Sequence, residues 1–179
     1  KTAYMLNTFV TITLYDTRDE GILDGCLELC ESYEQIFSRT IETSEIYRLN
    51  HRKPEETVFT VSDDTARLIE KGLYYSRISG GAFDITVEPI TTLWDFTSGE
   101  HRIPDESALK EAVKKVGYQN LQLEGNQLTF LSPDTALELG AIAKGYIADR
   151  VRDYLHKKGA ELGLINLGGN IQTLGSPEG

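Results

Sequence analysis

Glycines cluster in three segments of this sequence, and at each one a run of regular periodicity stops and a different one begins, so the elements between them are bounded before their type is argued. The places are Ser79 to Phe96 (SGGAFDITVEPITTLWDF), Glu138 to Tyr146 (ELGAIAKGY) and Asn166 to Asn170 (NLGGN). In the first, Gly80 and Gly81 follow a helical run and read as a C-cap that takes positive φ without a Cβ penalty. A short polar-apolar strand is expected next, with Asp84 and Glu88 on one side of it, because residues four apart in a strand face the same way. Bare backbone at such a point lets a planar ligand come close. The same glycine pair also serves as a plain helix cap ahead of an edge strand.

Residues 4 to 15 alternate, Val10, Ile12 and Leu14 against Thr11 and Thr13, which predicts a half-buried strand. From Arg18 to Phe37 apolar residues recur at three and four, the stripe of an amphipathic helix. Cys26 and Cys30 fall on that stripe, in neither a CxxC nor a His/Cys pattern, and read as core. Ser44 caps a short helix with Ile46 and Leu49, Thr57 to Val61 is a short strand, and Ser62 caps a long helix whose first turn holds Asp63 and Asp64. Pro104 and Asp105 open a helix that ends at Gly117. Leu121 to Leu123 and Leu128 to Leu131 form a hairpin, and a helix runs from about Ala141 to Lys158. Leu162 to Asn166 and Ile171 to Leu174 are strands joined by Gly168 and Gly169. Hairpins outnumber helical crossovers, so the expected class is α+β with a largely antiparallel sheet.

The 179 residues fit one domain with a sizeable core, and no window approaches the roughly 18 apolar residues of a membrane span. The chain opens on a strand-like pattern, so any targeting segment is expected to have been removed or never present. With 28 acidic and 18 basic residues the net charge is −10, which repels nucleic acid and anionic membrane surfaces.

Lys144 is expected in the first turn of its helix, where free amides and the dipole favour anions, so it is either a phosphate clamp or a solvated helix lysine. Neither GxxxxGK[ST] nor GxGxxG occurs. His51, His101 and His156 stand in polar surroundings and read as surface residues. Residues 166–170 form either a glycine bulge or a place of close ligand approach.

Four segments in order, MLNTFVTITLYD, FSRTIETSEIYRLN, SGGAFDITVEPITTLWDF and ELGAIAKGYIADRV followed by LINLGGNI, resemble the ApbE family, flavin transferases that move FMN from FAD to a protein threonine. By that resemblance Met5 matches a flavin-contacting methionine, and Ala82, Phe83 and Asp84 match a segment lining the FAD site. Glu138 stands where the family has an FAD-contacting aspartate, Ala141 at a position whose backbone carbonyl is a magnesium ligand, and Lys144 at an FAD-contacting position. Thr40 replaces a flavin-contacting tyrosine, so its contact differs or is lost. No residue is assigned as catalytic.

The resemblance implies an ApbE-like, T-fold-related domain, a single domain over residues 1–179, with FAD as substrate and Mg2+ as cofactor. Family members continue well beyond this length, with an HxxDP-like segment and an Asp/Thr pair completing the magnesium site, so the chain is expected to be an N-terminal portion lacking the C-terminal third. The implied reaction is magnesium-dependent transfer of FMN to a threonine of an acceptor protein, NqrC/RnfG-like or an FMN-binding domain, with release of AMP. The implied location is the outer face of the cytoplasmic membrane, as a lipoprotein. Two readings stay open beside it: an FAD pyrophosphatase that gives FMN and AMP, and a non-catalytic FAD-binding protein.

Overall fold

The computed structural model describes residues 1–95 and 103–176, so His101 lies outside the described residues. Two compact units are formed, one from residues 1–38 and 142–179, the other from residues 39–141.

The first unit is built on a four-stranded antiparallel sheet. Strand β1 (Thr2–Met5) and strand β2 (Thr8–Leu14) replace the single strand expected over residues 4 to 15. They are split by Leu6 and Asn7, both at φ 54°, a two-residue turn of the left-handed kind that suits the twist of a hairpin. Asn tolerates that conformation, but Leu does not favour it, and so the pattern hides the turn. The Leu6 amide that the turn exposes donates to Glu34 at 2.8 Å.

Strands β6 (Gly163–Leu167) and β7 (Asn170–Leu174) complete the order β1-β2-β6-β7. Val10 lies opposite Leu167 and Ile12 opposite Ile165, so all four point to one face, and all four are fully buried. Each contributes about 2 kcal/mol of apolar transfer. Helices α1 (Glu20–Phe37) and α6 (Gly140–Lys157, here from Ile142 on) supply the matching stripes. Cys26 and Cys30 are buried as expected, and Tyr33, Phe37 and Tyr146 pack ring against ring at 5.6–5.9 Å. Asp19 caps α1 by accepting from the Gly21 amide at 2.9 Å.

In the second unit a three-stranded antiparallel sheet, order β3-β5-β4, combines β3 (Val58–Thr60), β4 (Leu121–Glu124) and β5 (Gln127–Phe130). Helices α2 (Glu45–Asn50), α3 (Asp63–Ile78), α4 (Glu88–Trp94) and α5 (Glu106–Val113) accompany it. Ser44 and Ser62 are the N-caps of α2 and α3, as read from sequence. The hairpin turn of Gly125 (φ 57°) and Asn126 docks on the start of α3, the Asn126 amide donating to Asp63 at 2.6 Å and to the Val61 carbonyl at 3.1 Å.

Gly80 and Gly81 end α3 with φ of 63° and 84°. The strand expected after them is absent: residues 84–87 are a turn and Glu88 begins α4, so Asp84 and Glu88 do not share a strand face. The run Ile90, Thr91, Thr92 favoured a strand by β-branching. What decides for helix is Pro89 in the first turn, where its fixed φ fits and its missing N–H would be unpaired in any case. No helix among the described residues is long and apolar enough to cross a membrane.

Candidate functional site

In the second unit the turn after α3 is held by one carboxylate. Asp84 Oδ1 accepts from the Thr86 amide at 2.8 Å and the Thr86 hydroxyl at 2.7 Å, while Oδ2 accepts from the Tyr118 amide at 2.8 Å. Thr86, fully buried, in turn accepts from the Gly117 amide at 2.8 Å. A carboxylate offers about four lone-pair directions, so the three occupied ones leave one for a ligand. Asp84 therefore shapes the loop first and can meet a ligand with what remains. Ala82 is exposed and Phe83 half-buried on that loop, with Phe83 edge-on to Tyr75 at 6.4 Å. Thr40, also in this unit, is exposed.

A second cluster in the same unit was not visible in the sequence. The Glu138 amide donates to the Ile85 carbonyl at 2.8 Å, which brings Glu138 beside the Asp84 turn. Its Oε1 accepts from the Gly140 amide at 2.9 Å, at the first residue of α6. Its Oε2 lies 2.6 Å from Arg39 Nε. The other end of the same guanidinium, Nη1, stands 4.0 Å from Glu88 Oε1 and donates to the Thr92 hydroxyl at 3.4 Å. Thr92 donates to Glu88 at 2.5 Å, one turn back along α4. One cation thus sits between two carboxylates. A signal for Arg39 did exist: it is the one basic residue between Arg18 and Arg48, in a stretch rich in Asp and Glu.

Met5 and Lys144 belong to the first unit. Met5 closes the β1–β2 hairpin opposite Thr8. Thr8 in turn lies against Gly168, where an added Cβ would meet its hydroxyl at 2.3 Å. Asn170, after the Gly168–Gly169 turn, has its side-chain amide 3.8 Å from where a Cβ on Gly145 would stand. Gly145 of α6 and the turn at 166–170 are therefore neighbours, and one end of this sheet collects Met5, Thr8, the glycine turn and Gly145. Lys144 is the fifth residue of α6, just past the first turn in which it was expected, and half-buried. Among the described residues of its own unit no carboxylate pairs with it. An ammonium on a helix near its amino end favours an anionic ligand.

Magnesium takes near-octahedral oxygen coordination. Among the described residues no group of three or more His, Cys, Asp or Glu side chains is arranged to hold a metal. Ala141, the second residue of α6, offers a backbone carbonyl that the helix ladder already directs to the amide four residues on. That set by itself does not fit magnesium. Separately, a groove of about 450 Å³ runs between α3 and the β4–β5 hairpin, lined by Asp63, Arg67, Glu70, Arg77 and Asn126 among others. None of the candidate ligand-contacting residues Met5, Thr40, Ala82, Phe83, Asp84, Glu138, Ala141 and Lys144 lines it. His51 and His156 are exposed, as read from the sequence.

Residues 6–179 match the model of the ApbE family. An FAD:protein FMN transferase of Klebsiella pneumoniae is 34% identical over 97% of this chain and 55% of its own length. The FAD:protein FMN transferase of Treponema pallidum is 28% identical over 96% of this chain and 50% of its own length. Among solved structures, the flavin transferase ApbE of Vibrio cholerae superposes with a TM-score of 0.88 at 27% identity, covering 98% of this chain and 58% of that one. The ApbE protein of Thermotoga maritima gives 0.86 at 28% identity, over 98% and 58% of the two chains. The chain spans about half the length of the curated relatives it matches.

Proposed function

Because the chain belongs to the ApbE family, we propose that the protein it is part of transfers the FMN half of FAD to a threonine hydroxyl of an acceptor protein and releases AMP. The observation that carries this reading is the match of residues 6–179 to the family, with relatives that are FAD:protein FMN transferases. In the proposed step the threonine Oγ bonds to the phosphorus on the riboflavin side. The bond from that phosphorus to the bridging oxygen breaks, the oxygen leaves with AMP, and the hydroxyl proton is released.

Chemistry of this kind asks a protein mainly for positioning and for neutralisation of charge about the pyrophosphate. Lys144 suits the second task. Asp84 and Glu138 suit hydrogen bonds to hydroxyl or amino groups of the cofactor, since a carboxylate turned to a pyrophosphate would repel it. Ala82 and Phe83 offer a small side chain and a ring face to the flavin, Met5 an adaptable thioether, and Thr40 a hydroxyl in place of a ring. Magnesium dependence and a lipoprotein location on the outer face of the cytoplasmic membrane belong to the same proposal. So does an acceptor of the NqrC/RnfG or FMN-binding type.

The test is incubation of the full-length protein with FAD and a threonine-bearing acceptor, with and without magnesium, following AMP and flavin attached to protein. Equal amounts of AMP and flavinylated acceptor support transfer. Free FMN with no labelled acceptor replaces it with pyrophosphate hydrolysis, and bound FAD without turnover replaces it with a non-catalytic binder.

A further inference from the structure

We propose that Arg39 is a positioning residue for the dinucleotide: it fixes the Glu138 carboxylate and offsets its charge, and that of Glu88, so that Glu138 can meet a neutral group of FAD. The inference rests on the FAD-binding reading above and concerns a residue which that reading leaves without a role.

Arg39, Glu88 and Glu138 are each shielded, with side chains 18%, 20% and 19% exposed. Two carboxylates this far from water repel each other and any phosphate brought near, and screening by solvent is weak there. A guanidinium between them removes the repulsion, and its fork supplies direction as well as charge. The Nε contact of 2.6 Å holds one oxygen of Glu138. The other oxygen is held by the Gly140 amide at 2.9 Å. With both oxygens engaged, the carboxylate plane is set and its remaining lone pairs face fixed directions.

Gly140 belongs to the same device. A Cβ there would stand 2.9 Å from Glu138 Oε1, so glycine is what lets the longer acid fold back onto the start of α6. Glu138 is one methylene longer than an aspartate, and that extra reach needs a fixed partner if the carboxylate is to keep one position. Arg39 supplies it. A bridge that only stiffened the loop would change stability and leave ligand recognition alone. A positioning role changes recognition in the folded protein.

The experiment compares the full-length protein with Arg39→Ala, Arg39→Lys, Glu138→Gln and the Arg39→Ala/Glu138→Gln double variant, reading KM and kcat for FAD alongside thermal midpoints. Arg39→Ala is expected to raise KM about tenfold with kcat lowered less than about threefold, because a ground-state contact is lost rather than one made only in the transition state. Arg39→Lys keeps the charge without the fork and is expected to recover about half of that loss on a logarithmic scale. The double variant is expected to be no worse than Glu138→Gln alone, since with that carboxylate gone the arginine has lost the group it positions for the ligand.

An unchanged KM in a folded Arg39→Ala, or effects that add in the double variant, overturns the proposal while the FAD reading stands. Should Arg39→Ala fail to fold, Arg39→Lys decides: a KM equal to that of the unmodified protein overturns it, and a raised one supports it. Absence of FAD binding by the unmodified protein overturns both.

Discussion

The Asp84 carboxylate and the Tyr118 amide, thirty-four residues apart, meet at 2.8 Å, and this bond ties the turn after α3 to the turn before β4. The other oxygen of the same group holds Thr86 by its amide and its hydroxyl. Asp84→Ala leaves three donors without an acceptor, two of them in a buried or half-buried turn, and is expected to destabilise this unit by about 1–3 kcal/mol. Asp84→Asn should not restore it fully, because an amide turns a donor toward one of the donors it must satisfy. Urea unfolding decides, and an unchanged midpoint for Asp84→Ala would show that the turn does not depend on the carboxylate. A change of FAD affinity in either variant then has to be read against its stability, since the residue builds the loop on which it stands.

Lys144 allows a cleaner comparison, because among the described residues of its own unit no carboxylate pairs with it. Lys144→Ala is expected to weaken FAD binding about tenfold at low salt, and the difference should shrink as salt rises, in the way of a point charge facing a phosphate. Flavin fluorescence titration at two ionic strengths measures both. Equal affinities for variant and unmodified protein at low salt would remove Lys144 from the site.

What the sequence shows plainly is whatever depends on neighbours along the chain. Ser44, Ser62 and Gly80–Gly81 are helix boundaries because their side chains, or the lack of one, act within a few residues, and each stands where it was read. The stripes of α1 and α6 and the hairpins at Gly125–Asn126 and Gly168–Gly169 follow from the same local rules. Two local features misled. Leu6 takes a left-handed conformation that its side chain gives no reason to expect, and Pro89 outweighs three β-branched neighbours. The Arg39 cluster was out of reach for a different reason. Its partners Glu88 and Glu138 are distant along the chain, and only folding brings one cation between them.

The two cysteines give a prediction in pH. Both are fully buried, and burial pushes each thiol up to about 12, with the neighbouring sulfur adding to the effect at Cys26. In the unfolded chain the thiols ionise near their ordinary value of 9.0. The raised folded value means that the stabilisation is complete below that range and is lost as pH rises toward 12. Each thiol should remove up to about 1.4 kcal/mol of stability per pH unit across the window. Thermal midpoints from pH 8 upward should therefore fall faster than those of a Cys26→Ala/Cys30→Val protein, relative to each one's own value at about pH 8. Iodoacetamide near pH 8 should leave both sulfurs unmodified in the native state and label both in urea. Rapid native labelling of either would contradict the burial.

The Gly168–Gly169 turn separates two effects that usually come together. Both residues have positive φ, 62° and 91°, so either alanine variant is strained by about 1 kcal/mol or more on backbone grounds alone. At Gly169 an added Cβ meets nothing within 4 Å, whereas at Gly168 it would stand 2.3 Å from the Thr8 hydroxyl and 2.5 Å from its methyl. Gly168→Ala should therefore cost about 1–3 kcal/mol more than Gly169→Ala, as overpacked sites do, because β2 must shift or Thr8 must change rotamer. Pairing Gly168→Ala with Thr8→Ala removes the hydroxyl and methyl from the collision, and should bring the cost down toward that of Gly169→Ala if packing is the cause. Urea midpoints of the four proteins measure this. Equal losses for Gly168→Ala and Gly169→Ala would show that φ alone sets the preference for glycine, and that β2 yields to the turn rather than bracing it.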